Sequence, residues 1–326
     1  MRVRKTKWLT AAAAASVILS AVITSPSHAW EPTQPVRLVV PFAPGGSNDV
    51  IARTLGKKIS DVVGQPVVIE NRPGAGGSIG SLAVSRATPD GHTILVNSNA
   101  IVLHPLLNTP TYDPLKDFSP VSIVTKLPFV VVTKPDFPAN DFSEFVRHVR
   151  SNSANLFFGT GGSGSAQHIS QELFNAALGV RVEHVPFKGS GESIIALMGG
   201  NVDYSFDIIP SVKPLKDSGK LNVLAQTGLV RSPVLPDVPT IKELGDPDYS
   251  FEAWQGIFLP KGTAPEIVEK WAEVVKESLK DPEIHRNFTQ NGYEVVGSSP
   301  AELVKVMADD TASFKRVIAE AGIRVN

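Results

Sequence analysis

Residues 35–49 read PVRLVVPFAPGGSND, and this stretch decides the fold class. The apolar run Val36–Val40 predicts a β-strand, and a loop ending in Gly45–Gly46 follows it. Ser47 is predicted to be the N-cap of the next helix, with Asp49 in its first turn, where negative charge is favoured. A strand, a glycine-rich loop and a helix in this order predict an α/β fold with a ligand site at the helix start.

The same order recurs along the chain. Strands are predicted at 67–69, 93–96, 129–132, 156–158, 182–185, 204–206 and 221–226, and helices at 78–87, 142–150 and 166–178. Pro265 is predicted in the first turn of a later helix, and a capping box of Ser299 and Glu302 predicts the start of the last one. This alternation predicts parallel sheets flanked by helices.

A second glycine-rich loop, residues 159–165, follows the strand predicted at 156–158. Both loops precede a helix, where free backbone N–H groups and the helix dipole favour an anion. The hydroxyls of Ser47, Ser163 and Ser165 add donors, and neither loop contains lysine or arginine. The pattern favours a carboxylate over a polyphosphate, with tight turns that bind nothing as the alternative.

The N-terminus has the pattern of a secretory signal peptide. Four basic residues in 1–7 precede an apolar run at 8–23, and Ser27 and Ala29 occupy the small-residue positions of a cleavage site. The alternative, a membrane anchor, needs about 20 apolar residues. We therefore expect residues 1–29 to be removed after Ala29 and the remainder to be an exported, soluble protein.

Composition narrows the function further. The 326 residues contain no cysteine, which excludes disulfides and thiol chemistry, and the length suggests two domains. The formal net charge is −1 and no basic stripe stands out, which argues against a nucleic-acid partner. Histidines and carboxylates show no metal-ligand spacing, so neither a metal nor another cofactor is predicted.

Two motifs would fit an enzyme instead. Gly159-x-Gly161-x-x-Gly164 with Glu183 downstream matches a dinucleotide fingerprint, although an exported protein has no supply of nicotinamide cofactors. The run GGSIG at 76–80 formally matches a nucleophile elbow around Ser78, although a long loop separates it from the preceding strand. An exported dehydrogenase-like protein or hydrolase therefore stays open as an alternative to a binding protein that is not an enzyme.

Several segments resemble one known family. They are residues 35–49, NRPGAGG at 71–77, PDGHT at 89–93, YDPLKDF at 112–118, HVPFKG at 184–189 and RSPVLPDVPT at 231–240. Together they resemble the substrate-binding proteins of tripartite tricarboxylate transporters, the Bug-type or TctC-type family. The resemblance implies a type II periplasmic-binding-protein architecture, in which two α/β lobes joined by a hinge close over a ligand. It also implies a periplasmic location.

The resemblance implies a ligand and partners as well. Such proteins bind mono-, di- or tricarboxylates, aromatic carboxylates or acidic amino acids, and they deliver them to a large and a small membrane subunit. The expected lobes are residues 30–126 with 253–326, and residues 127–252, with chain crossings near 126–130 and 254–258. We expect a monomer. A sensory module reporting a ligand to a membrane receptor is the further alternative.

The site residues implied by the resemblance fall into three groups. The first-lobe loop supplies Phe42, Ala43, Gly46, Ser47 and Asp49, with Ser78, Asn97, Ser98, Asn99 and Ala100 beside it. The second-lobe loop supplies Thr160, Gly161, Ser163, Ser165 and His168. Lys188, Gly189 and Asp207 are expected to border the cleft. Family members often have tyrosine where Phe187 stands, so a less polar cleft is expected here.

Overall fold

The computed structural model describes residues 30–245 and 247–323. The predicted signal peptide, residues 1–29, lies outside them. The strands are β1 Val36–Val40, β2 Val67–Asn71, β3 Thr93–Ser98, β4 Phe118–Thr133, β5 Phe157–Thr160, β6 Glu183–Pro186, β7 Tyr204–Ile208, β8 Asn222–Gln226, β9 Glu252–Pro260 and β10 Glu294–Val295. The helices are α1 Ser47–Val63, α2 Ser78–Ser85, α3 Ala100–Leu107, α4 Phe142–Asn152, α5 Ala166–Leu178, α6 Ser190–Met198, α7 Ile209–Asp217, α8 Ile241–Leu244, α9 Pro265–Leu279, α10 Pro282–Gln290 and α11 Pro300–Ala321. Within the described ranges, no helix has the length and hydropathy of a membrane span.

The strands run in the order β2-β1-β3-β9-β4-β7-β5-β6, and β8 and β10 also pair with β4. At one end β1 is parallel to β2 and β3, and at the other β5 is parallel to β6 and β7. Each parallel group carries one of the two glycine-rich loops at the carboxyl ends of its strands. The α/β class predicted from the alternating pattern is confirmed.

The two groups meet on β4, which is much longer than the strand predicted at 129–132. Its segment Phe118–Pro128 pairs with β9, and its segment Phe129–Thr133 pairs with β7. The change of partner lies within the predicted crossing at residues 126–130. The lobe limits given above stay a prediction.

Amphipathic helices cover the sheet and hold the loops in place. On α1, Ile51, Leu55 and Ile59 follow a helical period and are fully buried against β1. Trp271 of α9 is buried in the same cluster and donates from Nε1 to the carbonyl oxygen of Gly91 at 3.0 Å. This packing fixes the direction of α1, and therefore the position of the loop before it.

Thr227 connects the two crossings beside the change of partner on β4. Its buried hydroxyl accepts from Phe129 N at 2.8 Å and donates to Phe251 O at 2.6 Å. Thr227→Val keeps the shape but leaves two buried backbone groups unpaired, so we expect the free energy of unfolding to fall by about 2–3 kcal/mol. Urea unfolding measures this, with the exposed Thr111→Val as control. Equal stability of the two variants would show that this hydroxyl does not brace the junction.

Candidate functional site

A cavity of about 560 Å³ lies between the two glycine-rich loops. Its lining comes from the loop before α1, the loop before α2, the whole of α3, and the loop before α5. The lining residues are Phe42, Gly46, Ser47, Asn48, Gly76, Ser98, Asn99, Ala100, Leu103, His104, Leu107, Asn108, Gly161, Gly162, Ser163, Gly164, Ser165 and Ala166. Both parallel strand groups therefore contribute to one site.

Three helices begin at this cavity. Gly46 is the N-cap of α1, Asn99 that of α3 and Ser165 that of α5, and all three residues line the cavity. The first N–H groups of a helix lack intrahelical partners, and the helix dipole places partial positive charge there. Three such ends around one cavity make a site suited to an anion.

The first loop is braced by Asp49. Its carboxylate accepts from Gly45 N and Arg53 Nε, both at 2.9 Å, and from Asn71 Nδ2 at 2.9 Å. The hydrogen bond from Arg53, with those from Gly45 and Asn71, lowers the pKa of Asp49 to about 2 against the effect of burial. The prediction that Ser47 caps α1 is wrong, because Gly46 is the N-cap and no side chain caps this helix. The Ser47 side chain lines the cavity instead.

The second loop is braced by the first turn of α5. Gln167 Oε1 accepts from Gly161 N at 2.8 Å, and His168 Nδ1 accepts from Gly164 N at 3.0 Å. Ser165 caps the helix by accepting from His168 N at 3.2 Å. Polar side chains of α5 therefore hold the backbone of this loop, and residues 161–165 of the loop line the cavity.

Two imidazoles stack beneath this loop. The rings of His168 and His184 lie 3.7 Å apart between centroids, and His184 Nε2 is 2.6 Å from the Thr160 hydroxyl. Burial, with a smaller contribution from the charge of His168, lowers the pKa of His184 to about 3. His184 is therefore neutral at pH 7 and supports the loop without adding a cation.

Asp207 lies at the carboxyl end of β7 and is fully buried. Its Oδ1 accepts from Ile208 N at 2.8 Å, whereas Oδ2 has no hydrogen-bond partner among the described residues. Burial raises the pKa of this carboxyl to about 7, against smaller opposing effects of Ile208, Gln167 and Ser190. Gln167 links this carboxyl to the second loop, because its side chain lies beside Asp207 and its Oε1 accepts from Gly161 N.

The cavity brings together only part of the predicted site. The predicted residues that line it are Phe42, Gly46, Ser47, Ser98, Asn99, Ala100, Gly161, Ser163 and Ser165. The others lie outside the lining: Ala43, Asp49, Ser78, Asn97, Thr160, His168, Lys188, Gly189 and Asp207. Of these, Ser78, Asn97, Thr160 and His168 are buried and hydrogen-bonded below the surface, and Lys188 is exposed. Phe187 is also outside, packed within a core cluster that includes Val202 and Leu197.

Sequence reasoning missed one wall of the cavity. Leu103, His104, Leu107 and Asn108 continue the face that Ala100 begins, at the 3–4-residue spacing of a helix. That spacing is visible in the sequence and could have extended the predicted site beyond residue 100. The other unpredicted lining residues are Asn48, Gly76, Gly162, Gly164 and Ala166.

Formal charge is absent from the lining. None of the lining residues, all within the described ranges, is aspartate, glutamate, lysine or arginine. A depression of about 310 Å³ between α1 and α10 does contain Arg53, Lys57 and Lys58, but acidic side chains accompany them, and Lys58 pairs with Asp281 at 2.9 Å. In the described chain no group of three histidine, cysteine or acidic residues could hold a metal ion.

The two enzyme motifs meet different geometry. Glu183 pairs with Phe157 at the amino end of β5, whereas the glycine loop follows the carboxyl end of that strand. Glu183 therefore cannot reach the ribose of a nucleotide bound at the loop. Ser78 Oγ does lie 2.8 Å from His104 Nδ1. However, Ser78 is buried outside the lining, and His104 Nε2 faces the amide of Asn108 at 3.3 Å rather than a carboxylate within the described ranges.

Comparison with known proteins identifies relatives. The family model described as tripartite tricarboxylate transporter family receptor, TctC, matches residues 51–323. BugT of Bordetella pertussis is 34% identical over 312 residues, which cover 94% of this chain and 96% of BugT.

Two solved structures show the same architecture. MatC from Rhodopseudomonas palustris with bound malate has 35% identity and a TM-score of 0.71, covering 88% of this chain and 99% of MatC. A TctC solute-binding protein from Polaromonas without ligand has 27% identity and a TM-score of 0.80, covering 89% of this chain and 99% of that protein. The type II periplasmic-binding-protein architecture predicted from the resemblance, with two lobes and a cleft between them, is confirmed.

Proposed function

The chain belongs to the tripartite tricarboxylate transporter receptor family, and from this premise we propose that it captures a small carboxylate in the periplasm and delivers it to a membrane transporter. The observation that carries the proposal is the meeting of three helix N-termini at an uncharged cavity between the lobes. A carboxylate there would accept from backbone N–H groups and serine hydroxyls, each charge-assisted hydrogen bond contributing about 1.5–3 kcal/mol.

Lobe closure would complete the site. Closure over the anion would bring the loops at Ser47 and Ser163 to opposite sides of one carboxylate, and it would change the surface that a transporter meets.

The partners proposed are one large and one small membrane subunit, which recognise a monomeric loaded receptor. The predicted signal peptide would bring the chain to the periplasm, with cleavage after Ala29. A receptor role also fits the lining, because capture and release need no nucleophile, metal or cofactor.

Titration calorimetry with malate, citrate, adipate, benzoate and glutamate tests the proposal. We expect one of these acids to bind, and Ser47→Ala or Ser163→Ala to weaken it about tenfold or more, because each removes one charge-assisted donor. Ser143→Ala, which changes an exposed serine on α4, is the matched control and should bind as the wild type does.

The rival functions predict other results. Binding of NAD⁺ in place of the acids would favour the dinucleotide site, and hydrolysis of p-nitrophenyl acetate that is lost in Ser78→Ala would favour a hydrolase. Either result would contradict the receptor proposal. Signalling differs from transport in the membrane partner: co-purification with a sensor kinase instead of the two transporter subunits would favour a sensory module.

A further inference from the structure

Helix α3 lines the cavity from its first residue to the residue after its last. Ala100, Leu103, His104, Leu107 and Asn108 all contribute to the lining. At 1.5 Å per residue, this wall is about 12 Å long. An elongated ligand can therefore contact both ends of α3.

The two ends of this wall differ in polarity. The N-terminus of α3, at Asn99 and Ala100, favours negative charge, whereas its C-terminus, at Leu107 and Asn108, carries the negative end of the helix dipole. Leu103 and Leu107 make this wall largely apolar, and Phe42 lies in the same cavity. The polar side chains on it are His104, near its middle, and Asn108, at its C-terminal end. The wall thus suits a carboxylate at one end, an apolar body, and an uncharged group at the other end.

His104 is held in a fixed orientation on this wall. Its Nδ1 is 2.8 Å from the buried hydroxyl of Ser78, and its Nε2 is 3.3 Å from Asn108 Nδ2. The backbone at Gly76 contacts the imidazole so closely that a Cβ there would collide with it, and Gly76 has a φ of +62°, which favours glycine. The imidazole is therefore a preorganised part of the cavity and covers the start of α2.

His104 is also a neutral group at pH 7, since burial lowers its pKa below the usual value. A second carboxylate of the ligand would therefore meet an uncharged imidazole, an amide and the negative end of α3. Without a cation in the lining, a buried carboxylate at this end would lose its hydration with little return. A hydroxyl or carbonyl group would exchange hydrogen bonds with the same side chains at lower cost.

We propose that His104, together with Asn108, recognises the end of the ligand that lies toward the C-terminus of α3, and that the ligand is a monocarboxylate with an apolar body and an uncharged hydroxyl or carbonyl group at that end. This inference rests on the carboxylate-binding function proposed above. It narrows the ligand class, and it assigns a specificity-determining role to a residue outside the predicted site.

Matched series of acids test the inference by calorimetry at pH 7.5. One series is benzoate, 4-hydroxybenzoate and terephthalate, and the other is hexanoate, 6-hydroxyhexanoate and adipate. In at least one series, we expect the hydroxy acid to bind about tenfold or more tightly than either the plain acid or the diacid, because it alone satisfies the polar end without burying a second charge.

Variants then isolate the role of the imidazole. His104→Phe should weaken the hydroxy acid about tenfold and leave the plain acid within about twofold, because only the former loses a hydrogen bond. Asn108→Leu, which does not disturb the contact with Ser78, should have the same selective effect, and His104→Gln should restore part of the preference. His285→Phe, at an exposed position on α10, is the matched control.

The outcomes separate the two proposals. Tighter binding of the diacid, lost in Ser163→Ala, would overturn the inference and leave the carboxylate-binding function standing. An equal loss of affinity for all acids in His104→Phe and in Asn108→Leu would show a structural role only. Binding of NAD⁺ in place of the acids would overturn the proposed function itself.

Discussion

Gly161→Ala is expected to weaken carboxylate binding about a hundredfold or more while leaving a folded protein. A Cβ at this position would lie 2.8 Å from Ser190 N, 2.9 Å from Gln167 Oε1 and 3.0 Å from Gly189 C. Two of these atoms belong to the backbone that begins α6, so the loop itself must move. The displaced loop would no longer donate to the ligand carboxylate. Losing two charge-assisted hydrogen bonds between the loop and the carboxylate, of about 1.5–3 kcal/mol each, would weaken binding about a hundredfold or more.

Gly191→Ala is the matched control for this effect. Gly191 is exposed in the first turn of α6, and a Cβ there would meet nothing within 4 Å. Alanine should leave affinity unchanged and raise stability by about 0.5–1 kcal/mol through its better helix propensity. Calorimetry measures the carboxylate affinity of both variants, and thermal unfolding measures their stability. Wild-type affinity in Gly161→Ala would show that this loop does not hold the ligand.

Asp207→Asn is expected to stabilise the protein increasingly as the pH rises. Burial raises the pKa of Asp207 from 3.8 to about 7 in the folded state, so folding favours the protonated form. The wild type therefore loses stability between about pH 4 and pH 7, where the unfolded chain ionises freely and the folded chain does not. Asparagine cannot ionise, so its advantage over aspartate should grow across this range by about 3–4 kcal/mol.

Urea unfolding of wild type and Asp207→Asn at pH 4.5, 6 and 8 measures this difference. Asp136→Asn, at an exposed carboxylate 3.4 Å from Lys134 Nζ, should track the wild type within about 0.5 kcal/mol, because exposed ion pairs contribute little. A difference between wild type and Asp207→Asn that stays constant with pH would contradict the assignment of Asp207 as a buried acid without a partner for Oδ2.

Local patterns were sufficient to predict the elements that carry the loops. The helix predicted at 166–178 is α5, and the capping box at Ser299 and Glu302 opens α11 as predicted. Both signals depend on residues adjacent in sequence. The first loop was also predictable as a glycine-rich loop before a helix. The N-cap of α1 was not, because Asp49 accepts from Gly45 N and Asn71 Nδ2 and the helix begins at Ser47, with Gly46 as its N-cap.

Longer-range features were not predictable in this way. The run at 118–133 contains Pro120 and Pro128, which suggest interruptions, yet pairing with β9 and then with β7 makes it one strand. The α3 wall was missed because Leu103 and Leu107 look like ordinary core residues, and only the arrangement of the lobes turns their face toward a cavity. Asp207 is equally ambiguous in sequence, since its burial depends on the start of α5 and α6.

The central claim is that one carboxylate is held between the two glycine-rich loops. A crystal structure of the protein with the acid that binds most tightly in calorimetry tests it most directly. We expect the carboxylate oxygens to lie within about 3 Å of donors from both the Ser47 loop and the Ser163 loop, as charge-assisted hydrogen bonds require. A ligand bound by one loop alone, or in the depression beside Arg53 and Lys57, would contradict the claim.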